Sequence, residues 1–142
     1  MPEEKQCKDR VREEFTGRLQ DLRVIWEAEK EGSEGEADLK RQDLDLPTLN
    51  EYGLCFDYVP AHTFQGQRRG YFRYQLSWGG PSDEFRFFVN PDLSTDRIEY
   101  WFLDWFDGAK VILRGDDETF MVELWESWFE DFAQEAITKA EE

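Results

Sequence analysis

Between Leu54 and Leu113 large apolar side chains alternate with polar ones, and a period of two commits the middle of the chain to β-strands. Leu54, Phe56 and Tyr58 share one face. Phe72, Tyr74, Leu76 and Trp78 then alternate with Arg73, Gln75 and Ser77, and Gly79-Gly80-Pro81-Ser82 reads as a turn. After it Phe85, Phe87 and Val89 oppose Glu84, Arg86 and Phe88, until Asn90-Pro91 breaks the run. Ile98, Tyr100 and Phe102 follow, and Asp107-Gly108 is the expected turn into a last strand, Ala109 to Leu113. The pattern predicts an antiparallel meander of four to five strands over residues 51–114.

Helical periodicity flanks that block. Val11, Phe15, Leu19, Leu22 and Trp26 form one apolar stripe, which predicts a helix over residues 4–31 that Gly32, Ser33 and Gly35 end. Residues 32–50 read as an acidic linker, with Leu39 to Leu46 undecided between a helical turn and a loop. Met121, Trp125, Trp128, Phe132 and Ala136 predict a second amphipathic helix over 116–138, begun by Gly115, Asp116 and Asp117. The expectation is one α+β domain over 1–142, with both helices on one sheet face and the other face partly open. A chain of 142 residues can bury roughly two-thirds of its unfolded surface. Cys7 and Cys55 show neither a zinc spacing nor a disulfide framework. No apolar run approaches the ~18 residues of a membrane span, so neither a membrane nor a secretory route is expected.

Catalytic groups are sparse. His62, the single imidazole, falls in a loop without a serine or cysteine to activate, which reads as an exposed loop histidine. Asp104 and Asp107, with Glu99, could in principle hold a divalent cation for a hydrolase. Turn formation and local backbone hydrogen bonds are the ordinary use of such aspartates. Gly115-Asp116-Asp117-Glu118 lacks the spacing of a calcium loop, and no phosphate-binding glycine loop occurs. A non-enzymatic protein without a cofactor is the expectation.

Charge placement says more. The formal net charge is −16, which disfavours direct contact with nucleic acid or an anionic membrane. Residues 115–142 hold ten acidic side chains and one basic. Asp116, Asp117, Glu118, Glu123, Glu126, Glu130, Asp131 and Glu135 follow one another with no cation between them. On a helix of about 30 Å that is one charge per ~4 Å, against ~3.4 Å along a DNA strand. Glu123, Glu126 and Glu130 share a helical face, where like charges repel. One reading is a surface that imitates a nucleic-acid backbone and occupies the groove of a basic partner, with Glu123, Glu126, Glu130, Asp131, Asp116 and Asp117 as its charges. The other is a solvated face. Trp101 and Trp105, with Phe106, lie where the alternation runs out. They are either anchors for a partner or rings buried by a two-sided sheet, which is their ordinary fate.

Residues 71–87 (Tyr71-Phe72-Arg73-Tyr74-Gln75-Leu76-Ser77-Trp78-Gly79-Gly80-Pro81-Ser82-Asp83-Glu84-Phe85-Arg86-Phe87) and 97–109 (Arg97-Ile98-Glu99-Tyr100-Trp101-Phe102-Leu103-Asp104-Trp105-Phe106-Asp107-Gly108-Ala109) resemble a family of small acidic proteins encoded on bacterial plasmids and mobile elements. The resemblance covers about residues 52–113. It implies a bacterial cytoplasmic setting and brings no catalytic residues. Anti-CRISPR and anti-restriction inhibitors, some of them DNA mimics, share that setting and charge. The expected function is therefore inhibition of a CRISPR complex or restriction enzyme by contact with a basic nucleic-acid-binding protein. The alternative is an accessory binding module that uses an aromatic sheet surface, and a homodimer through that sheet is open.

Overall fold

A computed structural model of the chain describes residues 6–142. Five strands, β1 (Cys55–Val59), β2 (Tyr71–Ser77), β3 (Ser82–Val89), β4 (Thr95–Asp104) and β5 (Asp107–Ile112), form one antiparallel sheet in the order β1-β2-β3-β4-β5. The N-terminal helix α1 (Cys7–Glu31) and C-terminal helical segments complete an α+β fold, as the two periodicities predict. The expected first residues of α1, Glu4 and Lys5, lie outside the described residues. At its start the Gln6 N–H donates to the Asp9 carboxylate at 3.2 Å.

Register builds the core. Phe72 faces Phe87, Tyr74 faces Phe85, and Tyr100 lies between Phe85 and Val111, so alternate residues stack in rows across four strands. Onto these rows α1 lays Phe15, 5.5 Å from the Tyr100 ring. A helix beyond β5 contributes Trp125, fully buried and 5.1 Å from the rings of both Phe72 and Phe87. The opposite face has a separate small cluster, Val59, Tyr71 and Phe88, that includes no helix residue. None of the helices of the described residues is long and apolar enough to cross a membrane.

Four expectations are revised. The acidic stretch 32–50 holds α2 (Glu36–Asp43) and the start of α3 (Leu49–Tyr52). An Asp38–Arg41 ion pair at 3.0 Å staples α2, and the buried Leu49 pins α3 to the core. Trp78 does not continue the buried row of β2. The register shifts between Gln75 and Ser77, the chain leaves the sheet, and Trp78 is 78% exposed. The β4–β5 turn is Trp105-Phe106, because Asp104 pairs with Asp107 and Gly108 already faces Leu103 inside the ladder. A Cβ at Gly108 would lie 2.9 Å from the Leu103 side chain, so glycine serves close packing here and not the turn.

The expected helix over 116–138 is three pieces: α4 (Gly115–Ser127), a 3-10 turn (Phe129–Phe132) and α5 (Ala133–Ala140). Trp128 breaks it at φ −132°, ψ −63°. The break lets Phe129 drop among Tyr74, Phe56 and Phe87 at ring distances of 4.6, 5.1 and 5.4 Å. Phe132, which a continuous helix would bury beside Trp125, is left 44% exposed against Trp128.

One buried carboxylate joins helix and sheet. Asp83, only 3% exposed, accepts both forks of Arg18 from α1 at 2.7 and 3.0 Å, the Tyr100 hydroxyl at 2.6 Å and the Ser77 hydroxyl. Breaking an ion pair whose carboxylate is buried typically costs about 3–5 kcal/mol. Asp83→Asn should therefore lower the unfolding free energy by about that amount in a urea titration. Asp57→Asn, which breaks the more exposed Arg73 pair, should change it by less than about 1 kcal/mol.

Candidate functional site

Asp116, Asp117 and Glu118 occupy the first turn of α4, where the helix dipole favours negative charge. Two of the carboxylates expected to be uncompensated are paired across the interface with α1. Asp117 accepts Arg23 at 3.1 Å, while Glu123 accepts the Trp26 indole N–H and lies 3.5 Å from Lys30. Glu126 and Asp131 are exposed, and Glu130 is half-buried on the 3-10 turn. Among the described residues Asp116, Glu126, Glu130 and Asp131 enter no ion pair. The break at Trp128 falls between Glu126 and Glu130, so Glu130 and Asp131 are on the 3-10 turn and not on α4 with Glu123 and Glu126. The continuous charged face is thus replaced by separate pieces.

The aromatic residues divide as well. Trp101 stays on the helix-free sheet face, with Arg86 4.2 Å from its ring centre, Lys110 at 5.4 Å and its indole N–H donated to Glu99 at 2.9 Å. Trp105 and Phe106 form the two-residue tip of the β4–β5 hairpin and are 87% and 103% exposed. Trp78 projects from the β2–β3 turn at the same end of the sheet. A Cβ on Gly80 in that turn would be 3.5 Å from the Trp105 indole nitrogen, so the two turns touch. Trp105 has φ +54°, a left-handed conformation that costs an ordinary residue about 1–2 kcal/mol and that glycine or asparagine usually occupies.

The hairpin beneath that tip is braced. Asp107 accepts the Cys7 N–H at 2.8 Å, tying the start of α1 to the turn, and Arg10 lies 3.9 Å from Asp104 and 4.7 Å from the centre of the Phe102 ring. The Cys7 N–H holds the Asp107 carboxyl below the usual carboxylate range. Along α1, Cys7 at the hairpin and Arg23 at Asp117 are about 24 Å apart, so the paired Asp117 and the aromatic tip sit well apart on one helix.

The groups considered for catalysis are dispersed. His62 is exposed in the β1–β2 connection at φ +66°. Glu99 pairs with Ile112 while Asp104 pairs with Asp107, which separates them by about 17 Å along β4. No group of three or more histidine, cysteine or acidic side chains is placed to hold a metal ion among the described residues. Cys7 lies at the β5 side of the sheet and Cys55 on β1, so the two thiols are free and far apart. No known protein family, curated protein or solved structure matches the chain.

Two measurements test the braced tip. Trp105→Asn relieves the left-handed backbone and removes only exposed surface, so stability should stay level or rise by up to about 1 kcal/mol, as read by thermal unfolding. Because the Asp107 pKa is depressed in the fold, its stabilisation is present above the unfolded value of about 3.9 and is lost as pH falls further. Asp107→Asn should flatten that acid limb, and an unchanged limb would show the Cys7 contact to be without effect.

Proposed function

We propose that this chain is a non-enzymatic inhibitor that binds a basic, nucleic-acid-binding protein, anchored by the Trp105-Phe106 hairpin tip. The observation that carries the reading is the tip itself: two large rings almost wholly in solvent, one of them in a backbone conformation unfavourable to it. Local strain persists where the surrounding structure over-determines it, and it concentrates at functional sites. Tryptophan in particular supplies much of the energy at protein interfaces.

Charge does a different task in this reading. A net charge of −16 draws a cationic partner in over long range and gives a fast, salt-sensitive association. Glu126, Glu130, Asp131 and Asp116 remain available for that role, whereas Asp117 and Glu123 are engaged by α1. The resemblance of residues 52–113 to small acidic proteins of mobile elements implies a bacterial setting, and inhibitors of CRISPR complexes and restriction enzymes share that setting and this charge, which makes such an enzyme the proposed target. Trp78 at the same end of the sheet supports the second reading, an accessory module that binds through its rings alone.

The test is a pulldown from bacterial lysate with the wild type, Trp105→Asn/Phe106→Ser, and Glu126→Lys/Glu130→Lys/Asp131→Lys, washed at low and high salt. The expected result is a nucleic-acid-binding protein that the tip variant fails to retain and the charge variant retains only weakly. DNA binding by that partner should fall when the wild-type chain is added. A partner held equally at both salt concentrations, with its nucleic-acid binding intact, would select the accessory module instead.

A further inference from the structure

The helix-free face of the sheet carries a positive groove that the overall acidity conceals. Arg86, Arg97 and Lys110 rise from β3, β4 and β5, and Arg68 and Arg69 from the β1–β2 connection, around a cavity of about 470 Å³. Register makes the cluster: Arg86 lies opposite Glu99, Phe88 opposite Arg97, and Trp101 opposite Lys110. Buried Tyr71 and Phe88 and half-buried Trp101 line it, and Phe64, 52% exposed, stands free at its edge. Arg86 is 4.7 Å from the Tyr71 ring centre, and Arg97 is 4.7 Å from that of Phe88.

These cations are incompletely used by the protein. Arg86 spends its Nε on Glu84 at 2.7 Å, and its two Nη groups make no hydrogen bond among the described residues. Arg97 and Lys110 lie 3.0 and 3.5 Å from Glu99 Oε2, yet that buried oxygen receives no hydrogen bond. Arg69 is paired with Asp96, whereas Arg68 is exposed and unpaired among the described residues. Five cations thus face three carboxylates in a chain of net charge −16. The Tyr71 hydroxyl, in a residue 2% exposed, also has no partner. An orphaned buried hydroxyl costs about 1–3 kcal/mol, so the floor of the groove is not optimised for stability.

We propose that this groove binds a nucleoside phosphate, with the phosphates on Arg86, Arg97 and Lys110, the exposed Arg68 adding positive charge at the groove's edge, and the base against Phe64. Open guanidinium forks match phosphate oxygens in pairs, and a free aromatic ring takes the flat face of a base. The cavity falls within the range of about 300–1,000 Å³ that small-molecule sites occupy. A long single strand is disfavoured, because its phosphates would run beyond the groove into the field of the remaining carboxylates.

Calorimetric titration of the full chain with ADP, adenosine, inorganic pyrophosphate and a ten-nucleotide oligothymidylate tests this assignment. ADP should bind more tightly than about 1 mM and more tightly than adenosine or pyrophosphate. Arg97→Ala/Lys110→Ala should weaken it by about tenfold or more, with circular dichroism reporting the fold. Arg68→Ala, at an exposed side chain, and Phe64→Ala should each weaken it several-fold without touching the core. Absence of ADP binding, ADP no tighter than pyrophosphate, unchanged affinity in the Arg68 and Phe64 variants, or binding of the oligonucleotide alone would overturn the proposal.

Discussion

Asp83 is the point on which the arrangement of this molecule turns. It sits on the helix-facing side of β3, so a bare carboxylate there would be expensive, and four donor groups from α1, β2 and β4 converge to satisfy it. Tyr100 is one of them, and burial together with the Asp83 charge pushes its phenol far above the usual range, keeping it a donor. Arg18 extends the network to Tyr52 of α3, whose hydroxyl donates to Asp21 at 2.7 Å. With α1 held there, Arg23 and Lys30 are brought beside α4, and the charge balance of the C-terminal region follows from the seating of the N-terminal helix.

The two sheet faces solve opposite problems with similar residues. On the helical side rings pack against rings, and Trp125 and Phe129 fill the space between strands and helices. On the other side no second layer is present among the described residues, and cations from neighbouring strands cover the rings instead. Arginine stems hide apolar surface while their head groups stay near water, which lets a one-layer sheet keep tyrosine and phenylalanine buried.

Periodicity made much of this legible. The rows Phe72-Tyr74 and Phe85-Phe87 and the stripe Val11 to Trp26 fall where the alternation and the helical repeat place them. What the sequence could not show was tertiary. Asp107-Gly108 has the composition of a hairpin turn, but Asp107 is needed by the start of α1 and Gly108 by Leu103, so the turn falls on Trp105-Phe106. That slip of two residues separates a buried-ring expectation from an exposed tip. The cations of Arg23 and Lys30 lie some ninety residues from the acids they meet, beyond any local count of charge. The helical repeat already puts Phe129 on the face of Trp125, but the break at Trp128 that turns Phe132 outward leaves no mark in that repeat.

An open five-stranded sheet has two unpaired margins, here β1 and β5, and such margins invite strand addition from other chains. Both are short, and each has a helix from one end of the sequence packed against it, α5 on β1 and α1 on β5. Asp57 and Lys110 place charges on them as well. The helices therefore guard the sheet against self-templating in addition to closing its core, and fraying at either end of the chain would open a margin before it emptied the interior.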